Sequence, residues 1–482
     1  VFQSDRIKIT LFYLISGLFV LLNIWFLVSK HSLAINVLPV ALIVGLMAIF
    51  ALDKLIYLVV FFTPLSLPLS ELVKGLPINM FLPTEPLLFG ILLIFILKIV
   101  ADGYFDRKIL VHPVTIAIGA NLLWMLVTTF TSSMPVVSVK FLLSRLWFIA
   151  SFYLMATMFF REGKNIEKFV WLYVIPFMLV IFYATYRHLG YGLWDKQAAH
   201  FVVDPFYNDH TAYGAALALY LPFLFGFSFS KAYSHRARML ARVPLAILMM
   251  ALVLSYSRAA WVGMIAAFGV WVIIRLKIKF KPLFLTAVVS LALLVTFQRP
   301  IVEYLERNNK ESSANLLDHF SSISNISSDA SNLERLNRWS CALRMFKDRP
   351  VFGYGPGTYM FQYGAYQLRK DRTIISTNSA DGGNAHSEYL GPLSESGVMG
   401  MLTVLILIGV VVYTAIHAYT RTTDRRLKTL VLGALLGLIT YYIHGTMNNF
   451  LDTDKASVPF WGFTAIIVSI DLLSKKSLPE NS

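Results

Sequence analysis

Between Asn384 and Met401 the chain reads NAHSEYLGPLSESGVMGM, and within it His386 is the side chain whose charge changes near neutral pH. An imidazole there can serve as a general base, with Glu388 or Asp381 close enough in sequence to orient the ring or share its proton. A capping or buried, hydrogen-bonded histidine is the alternative reading. The second chemical element is cationic. Arg258 stands in LSYSRAAWVGM (254–264), where a charge is expensive inside an otherwise apolar run. With Ser255 or Ser257 as helix cap, the N-terminal amides and dipole of the following helix add positive charge beside the guanidinium, which makes an anion site. An arginine snorkelling to lipid headgroups is the competing reading.

Further cations and one acid fall on the same side of the chain's topology. Arg335 and Arg338 are three apart in NLERLNRWSCALRMF (332–346), and Lys140 and Arg145 lie in the outer half of a hydrophobic segment. Asp209 and His210 open another segment, where they could equally act as a helix cap. Together these residues outline a basic, outward-facing pocket suited to a pyrophosphate at a membrane surface. LDTD (451–454) has an Asp-x-Asp spacing, but two carboxylates with no further ligand are a weak metal signal, so neither metal nor cofactor is expected. P-loop, GxSxG, HExxH and dinucleotide fingerprints are missing from any usable context.

The elements that must hold these residues are membrane helices. Of 482 residues, 57% are apolar and 14% charged, and the mean hydropathy is +0.65, a balance that excludes a water-soluble globule of this size. The net charge of +15 points to basic loops and anionic lipids rather than to nucleic acid. The lone Cys341 rules out an internal disulfide and a cysteine metal cluster. The opening VFQSDRIKIT runs into an apolar stretch read as a first membrane helix, not a cleaved signal.

Apolar windows long enough to span occur at 9–29, 33–51, 54–70, 84–100, 112–132, 138–160, 167–187, 208–230, 241–257, 259–275, 282–298, 393–418, 427–449 and 456–473. The fold class is therefore an all-α polytopic membrane protein with about 12–14 transmembrane helices. Basic runs such as FDRK (105–108), KAYSHRAR (231–238) and RTTDRRLK (421–428) alternate with short connections poor in positive charge, which fixes an inner and an outer side. Helices fill 1–298, one large outer loop domain fills 299–392, and helices return over 393–482. In that loop Leu336, Trp339, Leu343 and Phe346 recur at helical spacing, predicting an amphipathic helix whose apolar stripe packs on the membrane body. GYGPGTY (353–359) marks a tight turn after it.

NDHTAYGAALALYLPF (208–223), LSYSRAAWVG (254–263), RWSCALRMFKDRPVFGYGPGTY (338–359) and NAHSEYLGPLSESGVMGML (384–402) together resemble the O-antigen ligase family of bacterial inner membranes. The resemblance covers roughly 200–420 and implies a GT-C-type glycosyltransferase with its active site facing the periplasm. It implies metal-independent, inverting transfer of a glycan from undecaprenyl pyrophosphate to an acceptor hydroxyl, usually on lipid A-core. Carried over by position, Arg258 and Arg338 would bind the pyrophosphate and His386 would activate the acceptor, with Arg335 close enough to take Arg338's part. A polymerase using the same donor and a protein O-glycan transferase are neighbouring readings. A lipid-linked glycan flippase, the reading outside enzymes, would not need a large ordered outer loop with a histidine.

Overall fold

The computed structural model describes residues 2–30, 34–72, 80–103, 105–278, 330–372, 376 and 383–476. The chain divides into two compact units, 1–58 and 59–482. The first holds helix α1 (Phe2–Lys30) and helix α2 (Val37–Phe50). Helix α3 (Leu52–Phe62) follows in the chain.

Two expected spans are corrected here. The windows 33–51 and 54–70 yield helices of 14 and 11 residues, short of the roughly 20 needed to cross a hydrocarbon core. The second stops because Pro64 and Pro68 lack the amide hydrogens a continuing helix would use. The chain instead makes a 3-10 turn, Thr63–Leu65, and a strand β1 (Leu67–Pro68) paired antiparallel with β2 (Phe81–Leu82). The window 282–298 lies outside the described residues, as does the Ser/Asn-rich start of the large loop.

In the second unit the remaining windows become α4 (Thr84–Asp102), α5 (Pro113–Phe130), α6 (Pro135–Phe159), α7 (Gly163–Tyr191), α8 (His210–Phe229), α9 (His235–Leu254) and α10 (Arg258–Arg275). After the loop helix α11 (Ala330–Asp348) come α12 (Leu390–Arg421), α13 (Arg425–His444) and α14 (Asp454–Lys476). With α1, eleven helices among the described residues are long and apolar enough to cross a membrane. The protein is a multi-pass, all-α membrane protein.

Helices α8 and α14 are the most enclosed, with 78% and 89% of their span windows buried. Tyr173 of α7 stacks on Tyr220 of α8 at 4.3 Å, and Phe463 of α14 meets Tyr220 and Phe223. Aromatic rings thus fill the centre, while Leu179, Phe182, Leu402 and Ile406 point outward. Gly263 brings α10 against α13: a Cβ there would lie 2.6 Å from the Thr440 carbonyl oxygen. Such close backbone approach is how helices pack where lipid removes the hydrophobic drive.

The helix ends sort by charge. One end carries Arg107, Lys108, Arg161, Lys231, Arg236, Arg425 and Lys475, laced by Arg161–Asp106, Arg426–Glu167 and Lys475–Asp471 ion pairs. The other end collects the starts of α6, α8, α10, α12 and α14 and the end of α13, and there the loop helix sits.

Helix α11 buries a different face from the one expected. Glu334, Asn337, Arg338, Cys341, Ala342 and Met345 point inward at helical spacing, whereas Leu336 and Leu343 are 40% and 45% exposed and Trp339 and Phe346 are half-buried. The buried face works because its polar groups are partnered. Arg338 pairs with Glu334, and Asn337 bonds Gln367, while Cys341, Ala342 and Met345 pack on Tyr354, Tyr359 and Tyr363. The glycine-rich turn then docks this helix on the membrane body. Gly355 has φ 109°, and a Cβ on it would strike Ser132 at 2.0 Å. Its amide donates to the Glu395 carbonyl on α12, and Ser133 donates to Tyr354 O.

Candidate active site

His386 sits in the short segment between the loop domain and α12, with φ 47°, a conformation that non-glycine residues rarely adopt. Three bonds hold it there. Asn384 Oδ1 accepts from the His386 amide (3.0 Å), Trp339 Nε1 donates to its carbonyl (3.3 Å), and Asn384 Nδ2 donates to Asn449 O (3.1 Å). Burial first, then the positive charges of Arg335 and Arg338, push the imidazole down to about 4, with Asp209 and Glu334 acting in the opposite sense. The ring is therefore neutral at physiological pH and carries an available lone pair.

Arg335 and Arg338 play separate parts. Arg338 is 4% exposed; its Nε donates to Glu334 at 2.7 Å, and its guanidinium lies 3.9 Å from the centre of the Tyr363 ring. Gly383 packs directly on that guanidinium. Arg335 is half-buried and donates from Nε to Met447 O at 3.2 Å, in the turn after α13. Its positive charge acts on His386, His210 and His444.

Asp209 is the acid of the cluster and also a cap. Its Oδ1 accepts from the Thr211 and Ala212 amides at 2.6 and 2.8 Å and from the Thr211 hydroxyl, so the capping reading holds. That bond set fixes His210, the first residue of α8, with its ring 4.0 Å from that of His200 and its Nδ1 buried without a hydrogen-bond partner. The carboxylate of Asp209 acts electrostatically on His210, His386 and His444 alike.

Arg258 is half-buried at the first position of α10, and its charge is felt at His210 together with that of Arg335. The expected serine cap is corrected. Ser257 occupies the cap position without a side-chain cap bond, and its fully buried Oγ has no hydrogen-bond partner. Ser255 instead closes α9, donating to Leu252 O at 2.8 Å. Among the described residues no side chain caps the first-turn amides of α10 beside Arg258, an arrangement suited to an anion.

Three expectations fall away from this cluster. Glu388 does not serve His386: its Oε1 accepts from Tyr441 Oη (2.6 Å) and from the Phe450 and Leu451 amides (2.9 Å each). Burial raises its carboxyl, with Arg145 opposing, and its bonds make it a clamp on the turn before α14. Arg145 is buried in a pair with Asp452 (2.7 Å), and so serves the same turn. Lys140 is exposed, five residues from Arg145 and on another face of α6. Asp381 lies outside the described residues. In the Asp-x-Asp pair, Asp452 faces Arg145 while Asp454 accepts from the Ser66 and Thr84 hydroxyls at 2.6 Å, so the two carboxylates do not converge.

His444 was not foreseen. It is 1% exposed, bonds Asn448 through Nε2 at 3.1 Å, and has a buried Nδ1 without a partner. A histidine in the last turn of an apolar span, on the same side as His386, was the available signal.

The fold and this cluster define a multi-pass membrane protein that gathers arginines and imidazoles at one end of its helices. Residues 243–405 match the sequence model of the family described as O-Antigen ligase, which bears out the resemblance read from the sequence. The matched segment runs from α9 into α12 and contains Arg258, Arg335, Arg338 and His386, while Asp209, His210 and His444 lie outside it. The match supports glycan transfer in O-antigen or lipopolysaccharide-type assembly. No curated protein matches the chain.

Proposed function

We propose that the protein transfers a glycan from undecaprenyl pyrophosphate to an acceptor hydroxyl, lipid A-core being the acceptor that suits the family match best, at the periplasmic face of a bacterial inner membrane. The observation that carries this reading is the setting of His386: Arg335, anchored on Met447 O, and buried Arg338 both place positive charge on its imidazole. Arg258, Arg335 and the amides that open α10 take the pyrophosphate. Arg338, locked on Glu334 and Tyr363, shapes the cleft around it.

In the reaction His386 accepts the acceptor hydroxyl's proton as that oxygen attacks the anomeric carbon. The bond from that carbon to the phosphate oxygen breaks with inversion, and the electron pair leaves on undecaprenyl pyrophosphate. The arginines stabilise the charge growing on the leaving oxygen. Donor binding also prepares the base. Burial first, and then the charges of Arg335 and Arg338, hold the imidazole proton affinity down; a seated pyrophosphate offsets the arginine part, so His386 gains basicity when the donor is in place.

A polymerase would use the same donor and the same site. The lipid-linked glycan that accumulates when the protein is removed separates the two. Full-length polymer on undecaprenyl pyrophosphate is expected; single repeat units would mean a polymerase, and no accumulation on the outer leaflet would end the transferase reading.

A further inference from the structure

The turn that joins α13 to α14 carries both halves of the site, although it lies outside the residues that match the family. Met447 O accepts from Arg335 Nε at 3.2 Å, and close by in the same turn Asn449 O accepts from Asn384 Nδ2 at 3.1 Å. Asn384 in turn accepts from the His386 amide, so a cation and the imidazole are tied to one short stretch of backbone.

That stretch is held at its ends and at its middle. Glu388 brackets it, donating its amide to Gly445 O at 2.8 Å and accepting from the Phe450 and Leu451 amides through Oε1. Between them the Met447 and Asn448 amides both donate to His444 O, at 3.0 and 3.1 Å. Asn448, 2% exposed, also meets His444 Nε2 through its side-chain amide at 3.1 Å, and the imidazole is flanked by Tyr441 and Phe450. The amide of Asn448 shares a rigid peptide plane with Met447 O, so anchoring Asn448 restrains the carbonyl that Arg335 uses.

We propose that Asn448, locked on His444, is a positioning residue of the transfer reaction: it fixes the Met447 carbonyl, and through it the Arg335 guanidinium, at a set place relative to His386. This role rests on reading the protein as a transferase that binds a pyrophosphate through Arg335. His444 contributes as a mount, not as an acid or base.

Two measurements on the full chain in lipid nanodiscs test it, and one needs no substrate. NMR titration of the His386 imidazole, identified by its loss in His386→Gln, follows the charge that Arg335 places on the ring. Asn448→Ala should raise the midpoint above the wild-type value of about 4, because Arg335 is released from its place beside the ring. It should also raise the dissociation constant for undecaprenyl pyrophosphate about two- to tenfold, the worth of one hydrogen bond. In the Arg335→Ala background the same substitution should change neither, since a residue that acts through Arg335 then has nothing left to position. His444→Gln, whose amide can meet Asn448, should match the wild type, and His444→Leu should match Asn448→Ala. The leucine variant repeats the cycle should Asn448→Ala not elute as a folded, monodisperse protein. An unshifted midpoint and unchanged affinity in folded Asn448→Ala, effects that persist in full without Arg335, or His444→Gln as impaired as His444→Leu would overturn the proposal. Coupling of Asn448 to Arg335 in the His386 titration of a protein that binds no undecaprenyl pyrophosphate would sink the transferase reading alone.

Discussion

Replacing His386 by alanine should lower single-turnover glycan transfer by about 10²–10⁴-fold, the span over which a positioned general base contributes. Binding of the lipid-linked donor should change little, because the imidazole is neutral and the guanidinium groups remain. The backbone at 386 adds a control. Its φ of 47° is held by Asn384 and Trp339 through main-chain groups, so alanine loses the ring while those bonds can persist. His386→Gln, which keeps a polar side chain without a base, should be as inactive as alanine. Purified protein in proteoliposomes, with donor and acceptor supplied, gives the rate; transfer at the wild-type level by His386→Ala would remove the base assignment.

Arg335→Ala should raise the donor dissociation constant by about 10–100-fold, the loss of a charge-assisted contact in a partly dry cleft. Lysine at that position should restore only part of the affinity, since an ammonium cannot present two parallel donors to a phosphate. Arg258→Ala should weaken binding in the same sense. Arg338→Ala should differ in kind. Removing it breaks the buried ion pair with Glu334, so the main effect is a loss of about 3–5 kcal/mol of stability, read as a lower thermal midpoint. If Arg335→Ala binds donor like the wild type while folded Arg338→Ala does not, the two roles are exchanged.

The membrane body was legible because its signal is local. Apolar runs of span length and the basic loops between them survive any detail of packing, and the arginine and histidine cluster followed from which helix ends share a side. What failed depended on partners far along the chain. The stripe Leu336–Leu343 looked like the packing face of α11, but Glu334 satisfies Arg338 and the turn at 354–366 supplies tyrosine rings, so the polar face went inward. Glu388 looked like a partner for the histidine two residues away. Its bonds go to Tyr441 and to amides 62 and 63 residues downstream, which no short-range spacing reveals. The broken helix after Leu52 was readable in Pro64 and Pro68, although hydropathy averaged over them.

The sharing of one cleft by phosphate, arginine and imidazole is tested most directly by the pH dependence of transfer under two regimes. At low donor concentration the rate reports the free protein, where His386 is held at about 4, so the acid limb should fall near that value and activity should be lost only as pH drops through it. At saturating donor the limb should move to higher pH, because the bound pyrophosphate offsets the arginine share of a depression that burial begins. An acid limb at the same pH in both regimes would mean that the pyrophosphate and His386 do not meet.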